Sequence, residues 1–70
     1  MTKMTPVESS TIKAIGYDVL NRELHVDFHK TGSYIYSNVP IQKASSLLNA
    51  DSHGKHLSQI IKGQHPHRKK

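Results

Sequence analysis

Residues 32–40 read GSYIYSNVP, and the direction in which this stretch faces decides the architecture around it. Tyr34 and Tyr36 are two of four aromatic side chains in the chain, the others being Tyr17 and Phe28. Two residues apart on a strand, they share a face. They either enter a small core or form an exposed platform on which something flat can stack.

Upstream the sequence also has a period of two. Ile15, Tyr17 and Val19 alternate with Gly16 and Asp18, and Leu24, Val26 and Phe28 alternate with His25 and Asp27. Between the two runs, LNRE supplies a turn in which Asn21 tolerates positive φ. Closing a hairpin over Asn21 and Arg22 sets Val19 opposite Leu24, Tyr17 opposite Val26 and Ile15 opposite Phe28. All six then lie on one face.

The second turn, HKTGS, leaves the tyrosines in two alternative orientations. A two-residue loop, Thr31-Gly32, pairs Phe28 with Ile35 and turns Tyr34 and Tyr36 outward with Asp27 and His29. A three-residue loop, Lys30-Thr31-Gly32, puts Gly32 in the left-handed position and pairs Phe28 with Tyr34. Both tyrosines then face the core. A one-residue slip exchanges the faces, and both sets contain apolar side chains.

After Val39 the period becomes helical. Pro40 suits a first helical turn, and Ile41, Ala44, Leu47 and Leu48 share a helical face. Asn49 and Ala50 close this helix. Asp51 or Ser52 can cap the next, whose apolar side is Leu57, Ile60 and Ile61, with Gly63 and Pro66 as stop signals. The expected fold is α+β: a three-stranded antiparallel meander followed by two helices on its apolar face, in the order β-β-β-α-α. Seventy residues hold one domain, here residues 9–63, with a flexible segment at 1–8 and a basic tail at 64–70.

The formal charge of +5 is segregated. Up to Asp51, Lys3, Lys13, Arg22, Lys30 and Lys43 balance Glu8, Asp18, Glu23, Asp27 and Asp51. Beyond it stand Lys55, Lys62, Arg68, Lys69 and Lys70 with no acid, together with His53, His56, His65 and His67, which can add charge in mild acid. Such an end suits a polyanion, or it only keeps the chain in solution. The absence of cysteine removes disulfides and thiolate metal sites. The opening MTKMTPVESS has no apolar run, so neither a signal peptide nor a membrane span is expected there. A soluble, cytoplasmic protein is the expectation.

Catalytic chemistry finds no organising motif: no nucleophile elbow, no paired carboxylates and no phosphate loop. No enzyme activity is expected. The histidine spacings His25/His29, His53/His56 and His65/His67 are read as polar side chains facing solvent, because imidazoles without cysteine make a weak structural-zinc pattern. No metal and no cofactor are expected. Binding of RNA has two ingredients: Lys55, Lys62, Arg68, Lys69 and Lys70 for phosphates, and Tyr34 and Tyr36, with His29 beside them in the outward register, for unpaired bases. The rival is a protein-interaction module whose basic tail only solubilises.

The run S-S-x-I-x-x-I-G-Y-D at Ser9–Asp18, L-x-V-x-F at Leu24–Phe28, Gly32, Y-x-Y at Tyr34–Tyr36, V-P at Val39-Pro40, A-x-S-x-G at Ala50–Gly54 and then Ile61 resembles the KTSC domain family. The likeness spans about residues 9 to 67. The resemblance implies a short module like that at the C-terminus of some lysyl-tRNA synthetases, which also occurs as free-standing bacterial and phage proteins. It implies an RNA partner, tRNA among the candidates, with Y-x-Y as the central motif. The middle of that motif is commonly polar in the family, which implies inward tyrosines. Here it is Ile35, which argues the other way. An aromatic is common at Leu57, and tyrosines are common where His65 and His67 stand.

Overall fold

The structure, a computed structural model, describes residues 3–61, 63 and 65–69. In chain order it comprises β1 (Met4–Pro6), β2 (Ile12–Asp18), β3 (Glu23–Phe28), β4 (Gly32–Tyr36), α1 (Ile41–Leu48), α2 (His53–Ile60) and β5 (His67–Lys69). The strands form one antiparallel sheet in the order β1-β2-β3-β4-β5. The expected meander is its centre, but the sheet has five strands rather than three. Both segments read as flexible ends contribute a strand, and the helices sit between β4 and β5 instead of closing the fold. Without β1 and β5, the outer backbone groups of β2 and β4 would lie unpaired along open edges.

The first hairpin differs from its expected register. Asp18 pairs with Glu23, Tyr17 with Leu24 and Ile15 with Val26, so Val19 is not a strand residue. It lies in a four-residue turn and is 64% exposed. Asp18 causes the shift. Its carboxylate accepts the Leu20 N–H at 3.1 Å, the Asn21 N–H at 3.2 Å and the Asn21 side-chain amide at 2.8 Å, which closes an Asx turn. Arg22 (φ 55), not Asn21, takes the left-handed position. The displacement is two residues, so the inward set keeps its face. A bulge between Ile12 and Ala14 then changes the phase of β2 and brings Ile12 inward opposite Phe28.

At the second hairpin the loop has three residues, but they are His29, Lys30 and Thr31. Phe28 pairs with Gly32, Val26 with Tyr34 and Leu24 with Tyr36. Gly32 closes the loop at φ 90, a conformation that side chains resist. The parity is that of the inward option, so Tyr34 and Tyr36 share the core face with Val26 and Leu24. Tyr36 is buried and Tyr34 half-buried. Ile35 faces the other way, beside His25.

Both helices cover the tyrosine face. Ala44 and Leu47 of α1, Leu57 of α2 and Ile61 just beyond it join Ile12, Ile15, Leu24, Val26, Tyr36 and Val39 in one core. Pro40 is the N-cap residue of α1 rather than a member of its first turn. Ile41 and Leu48, expected on the buried face, are exposed. The Tyr17 hydroxyl donates to the Val39 carbonyl, and the Val39 N–H donates to the Arg22 carbonyl at 2.9 Å. These two bonds tie the β4–α1 connection to the first hairpin. Ser52 caps α2 by position, without a side-chain bond. No helix among the described residues is long and apolar enough to cross a membrane.

Candidate nucleic-acid interface

On the helix-covered side, the sheet's far end is left open. There a cleft of about 440 Å³ is walled by Phe28, Tyr34, Tyr36 and His67, with Thr11, Thr31 and Gly63 at its margins. The rings are mutually oriented. Phe28 and Tyr34 meet edge to face with centroids 5.7 Å apart, and His67 lies 6.1 Å from Tyr34 and 5.5 Å from Tyr36. Strand pairing produces this grouping: β5 sets His67 opposite Tyr36 and Lys69 opposite Tyr34. The Lys69 side chain runs over Gly32, where an added Cβ would meet its Cε at 3.8 Å.

Thr11 and Phe28 also line a second, smaller cleft of about 250 Å³. Its other walls are Ser9, Ser10, Ser52, Gly54, Leu57 and Ser58, with Lys55 at the rim. The two depressions meet at the Thr11–Phe28 wall. One is largely aromatic and the other hydroxyl-rich; Lys55 lines the second, and Lys69 lies opposite Tyr34 of the first.

The predicted site residues therefore separate. Tyr34, Tyr36 and Lys69 share one face, and Lys55 borders the adjoining cleft. Arg68, paired with Ile35, projects from the opposite face and donates to Glu23 Oε2 at 2.9 Å. It is not part of the tyrosine site. Lys62 and Lys70 lie outside the described residues. His29, expected beside outward tyrosines, lies in the turn, where its Nε2 and the Ser9 carbonyl are 3.0 Å apart. Phe28 was assigned only to the core by its spacing. Its part in the cleft follows from the loop register, which the sequence left open.

Charge states refine the picture. Burial, followed by the neighbouring Tyr34, raises the Tyr36 phenol above its ordinary value, so the cleft keeps a neutral hydroxyl. Burial and then the Lys43 ammonium lower the His65 imidazole; His65 Nε2 accepts from Lys43 Nζ at 2.9 Å. His65 thus takes up a proton less readily than an ordinary imidazole. Across the sheet, Asp18, Glu23 and His25 form a separate group whose ligating atoms all lie within 4.8 Å of one another.

With this geometry in place, comparison with known proteins is decisive about kinship. The KTSC domain family matches residues 8–65. The chain belongs to this family. A protein of Stutzerimonas stutzeri is 38% identical over 63 residues, covering 90% of this chain and 89% of that protein. A Tsukamurella paurometabola protein is 41% identical over 59 residues, covering 84% and 88%. The crystal structure of a KTSC domain protein from Yersinia pestis superposes with a TM-score of 0.98 at 37% identity, covering 100% of this chain and 99% of that one. In the KTSC fold two sequence motifs meet in space. Gly54 of A-x-S-x-G packs on the Ser9–Asp18 run, where an added Cβ would lie 3.5 Å from Thr11 Cβ and 3.9 Å from Ser9 Oγ. The Y-x-Y tyrosines stand next to that junction, across Phe28.

Proposed function

We propose that this KTSC domain is a small, non-enzymatic, cytoplasmic RNA-binding module, with tRNA among its candidate partners. One observation carries the reading: an aromatic cleft and a hydroxyl-lined one share the Thr11–Phe28 wall, with Lys69 opposite Tyr34 of the first and Lys55 lining the second. An unpaired base can stack against Tyr34 and His67. Ser9, Ser10, Thr11 and Ser52 can hydrogen-bond sugar and phosphate oxygens, and the lysines neutralise flanking phosphates. Arg68, on the opposite face and paired with Glu23, contributes less than a lysine at the cleft.

The test is a salt titration of binding to a single-stranded RNA oligonucleotide and to a tRNA. Each of Lys55→Gln and Lys69→Gln should reduce the slope of log K against log salt by about 0.7. Tyr34→Ala should weaken binding by about 1–3 kcal/mol. Binding indifferent to all three changes would sink the proposal. Recovery of a protein partner that survives nuclease treatment and depends on the same residues would favour a protein-interaction module instead.

A further inference from the structure

We infer that Asp18, Glu23 and His25 form a binding site for one divalent transition-metal cation, on the sheet face opposite the helices. Asp18 and Glu23 are the closing pair of the β2–β3 hairpin. His25 follows Glu23 by two residues on β3 and therefore shares its face. The topology thus brings two carboxylates and an imidazole together from eight consecutive positions of chain.

The distances suit a shared ion. All the ligating atoms lie within 4.8 Å of one another. Two ligands held at about 2.0–2.2 Å from one cation lie at most about 4.4 Å apart. Closing the set therefore needs only small side-chain movements. His25 Nε2 stands 3.8 Å from Glu23 Oε1, too far for a hydrogen bond but within the span of two ligands on one ion.

The independent pointer is His25 itself. It is 9% exposed, and neither ring nitrogen has a hydrogen-bond partner among the described residues. A buried polar atom without a partner costs free energy, and a cation at Nε2 removes that cost for one of the two. The neighbours hold the carboxylates ready. Asn21 steadies the Asp18 carboxylate, its side-chain amide donating at 2.8 Å and its backbone N–H at 3.2 Å. Arg68 occupies Glu23 Oε2 at 2.9 Å and leaves Oε1 turned toward His25. Two oxygens and one imidazole nitrogen suit a first-row ion such as Mn²⁺ or Zn²⁺ better than a thiophilic one. Water completes the coordination, because this face carries no helix. The site lies on the other side of the sheet from the aromatic cleft, so it stands or falls independently of RNA binding.

The experiment is a titration with Mn²⁺ alone, read by amide-resolved NMR, and with Zn²⁺ alone by calorimetry. Substoichiometric Mn²⁺ should broaden the amides of Asp18 to His25 first, with those of Ile35 and Arg68 beside them. Glu23→Gln and His25→Gln, each confirmed as folded by the same spectrum, should each lower Zn²⁺ affinity by about tenfold or more. The double variant His65→Gln/His67→Gln should leave the broadening at the hairpin intact. Broadening centred on residues 53–67, or unchanged by both Glu23→Gln and His25→Gln, would overturn the assignment. So would the absence of any broadening at millimolar Mn²⁺.

Discussion

The sharpest prediction concerns the different duties of the two tyrosines of Y-x-Y. Tyr36 is 3% exposed, lies opposite Leu24 and belongs to the core with Val26, Val39 and Leu47. Replacing it by alanine removes the ring and leaves a cavity among side chains that cannot fully collapse, a loss of about 3–5 kcal/mol. A domain of 70 residues has roughly 4–10 kcal/mol of stability in total, so Tyr36→Ala should unfold a large fraction of molecules near physiological temperature. Tyr34 is half-buried, and its edge-to-face contact with Phe28 forms a wall of the cleft. Tyr34→Ala leaves a gap that is already open to water and should cost about 1–2 kcal/mol. Urea denaturation followed by circular dichroism separates the two, with the slope against denaturant checked for constancy. RNA affinity is then measured at a temperature where both variants are folded. Equal stability losses, or a Tyr36→Ala loss under about 1 kcal/mol, would refute the inward assignment of β4.

Other perturbations address single contacts. Tyr17→Phe removes the bond to the Val39 carbonyl and should lower stability by about 1 kcal/mol in the same urea assay. Asp18 has a folded-state pKa lowered below 3.8, first by the Asn21 side chain. Its contribution is therefore fully present above the unfolded value and lost as pH falls through the folded one. The stability gap between the parent and Asp18→Asn should shrink as pH falls below the ordinary aspartate range; a gap constant with pH would contradict the Asx turn. Gly32→Ala must force a side chain to φ 90 and should lower the melting midpoint, with a loss of about 1–3 kcal/mol. Gly54→Ala places its Cβ at ordinary contact distance from Thr11 and should be neutral or stabilising by up to about 1 kcal/mol.

The contrast between what the sequence disclosed and what it concealed has a physical cause. Alternation specifies a face, so Ile15, Tyr17, Leu24, Val26 and Phe28 were correctly placed together. It is blind to a shift of two residues, which keeps every face while changing every partner. Both hairpins moved by that amount: one because the Asp18 carboxylate organises a longer turn, the other because Gly32 closes its loop instead of lying inside it. Helical periodicity located α1 and α2, and Leu57 and Ile61 are as buried as their spacing implied. Strands β1 and β5 were illegible because three residues are too few to display a period, and Met-Thr-Pro and His-Arg-Lys carry little β propensity. The same blindness put Arg68 with the tyrosines, since its face depends on pairing with β4. The metal-ligand group was hidden too. Spacing along the chain relates His25 to His29, whereas its neighbours in space are Glu23 on its own strand and Asp18 across the hairpin.

Strand β5 has a bearing on how the protein behaves at high concentration. It covers β4, whose Gly-Ser-Tyr-Ile-Tyr sequence is uncharged and rich in β-forming side chains. Stripped of that cover, the segment would offer its backbone to a second copy, and sheet could add to sheet toward fibres. With β5 in place, the outermost strand is instead His-Arg-Lys, short and cationic, and two such rims repel. The residues at the cationic end thus also guard this edge of the sheet. A chain cut before His65 should aggregate through Tyr34–Tyr36 even while its remaining core residues are intact.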